Sequence, residues 1–386
     1  MRDDVIISGA GPAGSVAALI LARAGVRVRL LDRSAFPRPK LCGDTLNPGT
    51  LSVLRRLDVA DAVERSAWPV RGMLVSGPGG VQVTGEYPGN VRGLSVLRDD
   101  LDWQLLQHAI DAGASFEPGA QVRGPVFDSR DRVAGVRLTH GNRALSDLRA
   151  PLTIAADGRH SVLAFGLGLA WHPRRPRRWA IGAYFDRGAS DRSLGEMHIR
   201  RGGYIGVAPV PTGLTNACLV VSEPRRGALA RPGVLLERAI GRDPVLADRF
   251  AGARMVTAPT VLGPLAVEAR TAGTGGLLLA GDAAGFVDPM TGDGLHFALR
   301  GAELAAAVAL AALQGRLRDP AATLLRHRRR AFRRKWRMNR ALRALVASPR
   351  AVSVAAASAR LCPAALRMLI AAAGDVPRGH RTPADR

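Results

Sequence analysis

The first thirty-two residues constrain the fold more tightly than any other part of the chain. An apolar run, Val5-Ile6-Ile7-Ser8, leads into Gly9-Ala10-Gly11-Pro12-Ala13-Gly14. An apolar stretch with helical spacing follows to Ala24, then Gly25, then a second apolar run from Val26 to Leu31 closed by Asp32. This is strand, tight turn, helix, helix-ending glycine and strand, one complete βαβ opening. Gly9 permits the turn, Gly11 lets backbone N–H groups approach a pyrophosphate at the helix N-terminus, and Gly14 lets the helix pack on the strand. Asp32 is the acid expected on the adenosine ribose hydroxyls. A bare glycine-rich turn would not need strand, helix and acid all in place, so a dinucleotide site is the reading. Its expected contacts are Gly9, Gly11, Pro12, Ala13, Gly14, Asp32 and Arg33.

Two further strand ends carry acid–glycine pairs. Leu152-Thr153-Ile154-Ala155-Ala156 runs into Asp157-Gly158-Arg159-His160-Ser161, and Leu277-Leu278-Leu279-Ala280 runs into Gly281-Asp282-Ala283-Ala284-Gly285 ahead of a helix from about Leu295. The carboxyl edge of a doubly wound sheet is where ligands bind. Residues 71–97 hold short Val-rich pieces divided by Gly77-Pro78-Gly79-Gly80 and Pro88-Gly89, and read as antiparallel strands. Asp99 to Ala112 reads as a helix with Leu101, Leu105, Leu106 and Ile110 on one face. A Pro/Arg-rich link spans Trp171 to Trp179, 180–222 reads as antiparallel sheet, 230–252 as helix with loops, and 320–386 as mostly helical. The fold class expected is α/β: a Rossmann-like lobe with an intergrown, mainly antiparallel α+β lobe and a helical C-terminal tail. The first lobe takes 1–70, 96–170 and 265–320, the second 71–95 and 171–264, and the tail 321–386.

The 386 residues suffice for two intergrown lobes. The net charge of +23 is arginine-driven, since only Lys40 and Lys335 are lysines among 55 basic residues. That bias fits a GC-rich coding sequence, and with no stacking or groove-reading motif no nucleic acid is expected as a partner. Three scattered cysteines, Cys42, Cys218 and Cys362, fit neither a disulfide framework nor a zinc site. Asp288 and Asp293 lack companion ligands, so loop hydrogen bonding rather than a metal is expected. A first strand from about Asp4 leaves no room for a signal peptide. The Ala-rich stretches after Gly301 and Ala351 are broken by Glu303 and Arg360, short of a spanning helix. A cytoplasmic location is expected. Arg326 to Arg343 holds ten Arg and Lys residues and no acid, interleaved with Phe332, Trp336, Leu342 and Leu345. Such a helix can lie on an anionic membrane surface or pack its apolar side on the first lobe. The packed reading is preferred, unless the substrate is a lipid.

Taken together, the three motifs resemble the flavoprotein family of the para-hydroxybenzoate hydroxylase fold, and within it the geranylgeranyl reductase-like branch, over nearly the whole chain to about residue 315. The resemblance implies FAD as cofactor. It implies that Asp282 of Gly281-Asp282 binds the ribityl chain and that Asp157-Gly158 lies near the pyrophosphate. The loop Pro289-Met290-Thr291-Gly292-Asp293-Gly294-Leu295 would bring backbone N–H groups to the flavin pyrimidine ring, through Gly292, Gly294 and Leu295. Those donors and a helix N-terminus would stabilise negative charge on reduced flavin. Arg98 matches a family arginine that contacts FAD, and Val122 joins the contact set. Lys40-Leu41-Cys42-Gly43-Asp44 resembles the branch's Cys-Gly-Gly or Cys-Gly-Asp loop beside the flavin. Cys42 and Gly43 are thus cofactor-binding candidates, and Cys42 is the candidate catalytic proton donor or else a small buried hydrophobe.

Arg201 to Pro209 resembles the branch's Pro-x-x-Tyr-x-Trp-x-Phe-Pro strand, which lines the substrate cavity. Tyr204 and Pro209 match, and with Gly206 they are the candidate substrate residues. Arg201, Gly206 and Ala208 replace the first Pro, the Trp and the Phe, and losing two rings should open the cavity to a different or bulkier substrate. Val162 stands where the family often has an arginine. The halogenase signature Trp-x-Trp-x-Ile-Pro is absent, since no two tryptophans sit two apart, and a halogenase is disfavoured. His296 could donate a proton but is read as a satisfied structural residue.

The function expected is an FAD-dependent oxidoreductase that reduces a carbon–carbon double bond of a large apolar substrate by hydride transfer. The alternative is an FAD-dependent monooxygenase that hydroxylates or epoxidises such a substrate after reduced flavin binds oxygen. A third class is an electron-transfer or membrane-docking flavoprotein with no organic substrate. No second GxGxxG follows a strand, so NADH or NADPH docking transiently on the first lobe, or a partner reductase, is expected to supply electrons.

Overall fold

A computed structural model describes residues 3–78, 81–141, 143–175, 177–188, 192–222 and 227–374. Gly79 and Gly80 of the Gly77-Pro78-Gly79-Gly80 turn, and 375–386 of the tail, lie outside the described residues.

The opening βαβ unit forms as expected. Strand Val5–Ser8 is fully buried, helix Pro12–Arg23 follows, and strand Val28–Asp32 lies parallel beside the first. The second strand starts two residues later than its apolar pattern suggests and takes in Asp32. Gly9 sits at φ +98, and a Cβ on Gly14 would stand 1.7 Å from the Gly9 carbonyl oxygen. Only glycine at both positions lets the helix lie this close to the strand.

These strands centre a six-stranded sheet ordered Gly273–Thr274, Leu277–Leu279, Leu152–Ala155, Val5–Ser8, Val28–Asp32, Ser115–Pro118. All neighbours are parallel except the first pair. The register matters for function: Ser8 pairs with both Ala155 and Leu31, and Ala155 pairs with Leu279. Four strands therefore leave the sheet at one level, and the segments at Gly9, Asp32, Asp157 and Gly281 stand side by side along its carboxyl edge. Helices Pro12–Arg23, Arg98–Asp111 and Gly294–Leu313 pack on one face around Leu19, Leu101, Leu105 and Leu299. Each such fully buried side chain contributes about 1.5–3 kcal/mol. Gly294–Leu313 is long and apolar enough to cross a membrane by composition. Here it is a core helix, with Ala302, Ala305, Ala306 and Ala309 buried against its neighbours.

A seven-stranded sheet follows the order Thr260–Leu262, Arg178–Phe185, Thr215–Ser222, Gly203–Pro209, Leu194–Arg200, Gly72–Ser76, Gln82–Glu86. Its pairs are antiparallel but for Leu194–Arg200 against Gly72–Ser76. Strand Gly93–Ser95, read with this lobe from sequence, instead pairs with Thr45–Leu46 and Trp68–Val70 in a small separate sheet. The expected helix within 230–252 is shorter, Pro232–Gly241, with turns after it.

The tail forms three helices, Pro320–Ala347, Pro349–Leu361 and Pro363–Ala373, each opening on a proline, which fits the first turn but not a helix interior. On the first of them Leu324, Arg328, Phe332, Lys335 and Asn339 are buried, while Arg329, Arg330, Arg333, Arg334 and Arg337 face solvent. Phe332 packs edge-on against Phe297 with ring centroids 5.0 Å apart.

Candidate active site

A cavity of about 1180 Å³ runs from the carboxyl edge of the six-stranded sheet to the inner face of the seven-stranded one. That exceeds the 300–1,000 Å³ usual for one small ligand. Gly9, Gly11, Pro12, Ala13, Asp32, Arg33, Cys42, Gly43, Arg98, Val122, Asp157, Gly281, Asp282, Gly292, Gly294, Leu295, Tyr204 and Gly206 all line it.

Two sequence candidates do not. Gly14 is taken up entirely in packing the helix on the Gly9 turn. Pro209 is buried at the end of its strand, where its carbonyl accepts from Ser95 Oγ at 2.5 Å. Strand periodicity explains this second correction: Pro209 lies an odd number of residues from both Tyr204 and Gly206, so it faces the other way.

At the cavity's polar end the Pro12–Arg23 helix begins at Gly11 with no side-chain cap and no acid in its first turn. Its free N–H groups carry the positive end of the helix dipole into the cavity. Asp32 is held by the Ala10 N–H at 2.9 Å and the Ser34 N–H at 2.9 Å. Around them stand Arg38, Lys40 and Arg159. Arg38 Nε and Arg159 Nη1 are buried with no hydrogen-bond partner among the described residues. Burial pushes Lys40 down to about 8, with Arg98 and Arg38 adding to the effect. Crowded, desolvated and under-partnered cations facing a bare helix N-terminus call for a multiply charged anion. A dinucleotide diphosphate fits, with Asp32 left for a ribose. Burial also raises Asp157 to about 6, and its Oδ2 accepts from the Val162 N–H at 3.1 Å.

A second helix N-terminus enters the cavity further along. Gly294–Leu313 starts after Asp293 without a side-chain cap, and Gly292, Gly294 and Leu295 line the wall there. This is where an isoalloxazine ring would meet backbone donors. The buried Asp288 closes the loop: it accepts from Arg178 Nη1 at 2.7 Å, from the Tyr204 hydroxyl at 2.8 Å and from the Met290 N–H at 3.0 Å. Asp293 is bound by Lys335 Nζ at 2.9 Å and Asn47 Nδ2 at 2.9 Å. Both acids are thus loop fasteners, and no metal-ligand group occurs among the described residues.

Arg98 is buried and fixed by Asp102 at 2.6 Å. Burial works against its charge, but Asp102 and Cys42 more than offset this and raise its pKa. The Arg98 charge favours the ionised form of the Cys42 sulfur. Burial nevertheless pushes the Cys42 thiol up, so it stays protonated at neutral pH.

The far end of the cavity is apolar. Met73, Val75, Met197, Ile199 and Val220 come from the seven-stranded sheet. Leu342, Leu345, Val346, Val352, Leu369 and Ile370 come from the three tail helices and close the other side. Sequence reading singled out Leu342 and Leu345 only as an apolar helix side and missed the other four, because an Ala/Arg-rich helical pattern says nothing about what its apolar side covers.

The comparisons agree with the geometry. The family model described as "FAD binding domain" matches residues 2–339. A menaquinone reductase of Mycobacterium tuberculosis is 32% identical over 78% of this chain and 75% of its own. A digeranylgeranylglycerophospholipid reductase of Methanopyrus kandleri is 33% identical over 81% of this chain and 78% of its own. Among solved structures, the myxobacterial chondrochloren halogenase CndH superposes with a TM-score of 0.78 at 26% identity, covering 87% of this chain and 80% of that one. The flavin-dependent brominase Bmp2 gives 0.82 at 18% identity over 100% of this chain and 97% of its own, a likeness of fold alone. With the family match spanning most of its length and a cavity whose cations, helix ends and glycine cradle suit a flavin dinucleotide, the chain belongs to the FAD binding domain family and is a geranylgeranyl reductase-like, FAD-dependent oxidoreductase.

Proposed function

We propose that the enzyme reduces a carbon–carbon double bond of a large apolar substrate of isoprenoid or lipid character. The observation that carries this reading is the continuity of the cavity, which passes from the dinucleotide cradle past Cys42 into the apolar chamber without a break. A chain-like hydrocarbon could thread that chamber and present one alkene beside the flavin. The two curated relatives are named as reductases of a menaquinone and of a digeranylgeranyl lipid, which supports the same substrate class.

Bound FAD, once reduced, supplies a hydride. The chain's own residues do the rest. The Gly292–Leu295 loop and the helix start behind it would hold the ring and favour negative charge on it. The apolar walls orient the alkene and exclude water. Cys42 keeps a proton at its sulfur on the cavity wall, and Arg98 is placed to steady the thiolate left when that proton goes. NADH or NADPH, or a partner reductase, is proposed as the electron source.

The test is anaerobic single turnover. Chemically reduced holoenzyme is mixed with a prenylated quinone or a geranylgeranyl lipid, and products are read by mass spectrometry. A product two mass units heavier supports the reading. Turnover that requires oxygen and yields a hydroxylated or epoxidised product overturns it in favour of a monooxygenase. The likeness to CndH is what favours that second reading, since halogenation is an oxidation of its substrate.

A further inference from the structure

The stretch from Pro320 to Gly374 holds 12 arginines, Lys335 and no aspartate or glutamate. Helix Pro320–Ala347 sorts the charges by side. Arg328 and Lys335 are buried and held: Arg328 Nη2 donates to the Ala284 carbonyl at 3.0 Å, and Lys335 Nζ pairs with Asp293 at 2.9 Å. Arg326 and Arg340 join Arg329, Arg330, Arg333, Arg334 and Arg337 on the exposed side. At 3.6 residues per turn the exposed arginines fall within an arc of about 140°, opposite the buried Leu324, Lys335 and Asn339. None of them pairs with a carboxylate among the described residues. Like charges four residues apart, such as Arg326 and Arg330 or Arg329 and Arg333, destabilise a helix that meets only water. An anionic partner would reverse that cost. Trp336, half-buried, stands at the edge of the same arc, and tryptophan favours the headgroup level of a bilayer.

The next two helices carry apolar side chains into solvent. Val354 is 66%, Met368 74% and Leu369 39% exposed. Leu369 also lines the cavity, as do the exposed Ser358 and Cys362. The hydrocarbon chamber therefore reaches the surface at helices Pro349–Leu361 and Pro363–Ala373. Singly exposed apolar residues are ordinary. These stand on the two helices that carry the opening, directly after the helix that carries the arginines.

We propose that the tail helices dock on an anionic lipid bilayer: the arginine face meets headgroup phosphates, Val354, Met368 and Leu369 enter the acyl boundary, and the chamber opens into the lipid. Charge and apolar area together select this occupant. Guanidinium groups bind phosphate bidentately, and a bilayer places hydrocarbon immediately behind its charge. A nucleic acid would satisfy the arginines but leave Val354 and Met368 in water. Delivery of substrate through the opening rests on the reductase reading; the docking does not.

The first test needs no turnover. Full-length, FAD-loaded protein is sedimented with vesicles of phosphatidylcholine, alone or with about a third phosphatidylglycerol. Binding should require the anionic lipid and weaken as salt rises. Arg329→Gln/Arg333→Gln/Arg337→Gln should weaken it by about 100-fold, since each basic residue near an anionic surface contributes about fivefold. Val354→Asp/Met368→Asp keeps every arginine and should weaken it by about tenfold or more. All five side chains are exposed, so Tm and FAD content should stay at wild-type values. Equal binding to neutral and anionic vesicles, or wild-type binding by the arginine variant, overturns the docking. An RNA oligonucleotide that displaces the protein from vesicles, while Val354→Asp/Met368→Asp binds them like wild type, overturns it in favour of a polyanion site. The second test compares turnover of detergent-dispersed and vesicle-borne lipid. The arginine variant should match wild type in detergent and lose about tenfold or more in kcat/KM on vesicles. Equal kcat/KM for both proteins on vesicles overturns delivery from the bilayer. If neither protein reduces lipid in detergent, the reductase reading fails and vesicle binding alone decides the docking.

Discussion

Gly11 and Gly14 lie three residues apart in one turn, yet alanine at each should fail in a different way. At Gly14 the added Cβ would stand 1.7 Å from the Gly9 carbonyl oxygen and 2.9 Å from its carbon. Both are backbone atoms of the tight turn, so the helix itself must move back. Overpacking that side chains can absorb costs about 1–3 kcal/mol. A backbone obstacle should cost at least about 3 kcal/mol, a fall in Tm of about 4 °C or more for a chain of this length. At Gly11 the nearest atom to an added Cβ is Arg38 Nη2 at 3.6 Å, an ordinary contact. Its backbone, φ −71 and ψ −177, suits alanine. The fold should lose no more than about 1 kcal/mol, the usual cost of alanine at a helix N-cap. The methyl group would instead stand where the diphosphate approaches the helix start. Charge-assisted hydrogen bonds lost there are worth about 1.5–3 kcal/mol each, so FAD affinity should fall by about 100-fold. The assay is FAD fluorescence titration of apoprotein, paired with calorimetric unfolding of the same samples. Gly11→Ala that binds FAD within threefold of wild type would refute the cradle assignment. Gly14→Ala with an unchanged apoprotein Tm would refute the packing argument.

Two other outcomes follow from the same structure. Gly206→Trp should leave FAD content and Tm unchanged, because the nearest atoms to a Cβ there are 3.9 Å away. The indole would occupy the chamber and raise KM for long substrates by about tenfold or more, read from steady-state kinetics. Glu196, in strand Leu194–Arg200 of the seven-stranded sheet, is 2% exposed. Burial opposes its charge, but hydrogen bonds from His198 and Arg249 outweigh this and hold its carboxyl at about 2. A depressed folded-state pKa means that its stabilisation is complete above the ordinary carboxylate range and is lost as pH falls toward 2. Glu196→Gln should therefore destabilise the protein by up to about 3 kcal/mol at pH 7. In urea unfolding across pH 3–7 the gap should narrow below pH 4, and a constant gap would contradict this account.

The dinucleotide cradle was legible in the sequence because each part carries a local signature, and the parallel register does the rest. Ser8, Ala155 and Leu279 sit level in adjacent strands, so motifs some 120–150 residues apart in the chain end side by side. The hydrogen bonds from Tyr184 and Asn216 to Asp44 had no such signature. The two donors lie 140 and 172 residues from it, and only the pairing of their two strands brings them together. Pro209 was misplaced because a match to a family pattern was followed past the point where strand alternation turns it away. Glu196 and His198 break the apolar alternation of Leu194–Arg200. Arg249, the partner of Glu196, belongs to a turn in a stretch that the sequence read only as helix with loops.

Lys335, one of only two lysines in the chain, binds Asp293 on the flavin-side loop and the carbonyls of Ala372 and Ala373 at the end of the last helix. Gly49 N–H adds a second tether, to the carbonyl of Gly374. The end of the last helix is thereby pinned to the edge of the loop that carries Asp293, some eighty residues upstream. Trimming the protein after residue 348 would not remove an appendage. It would strip one wall from the hydrocarbon chamber and leave a buried ammonium group with carbonyl partners missing, so a shortened protein could keep its yellow colour while losing its grip on anything oily.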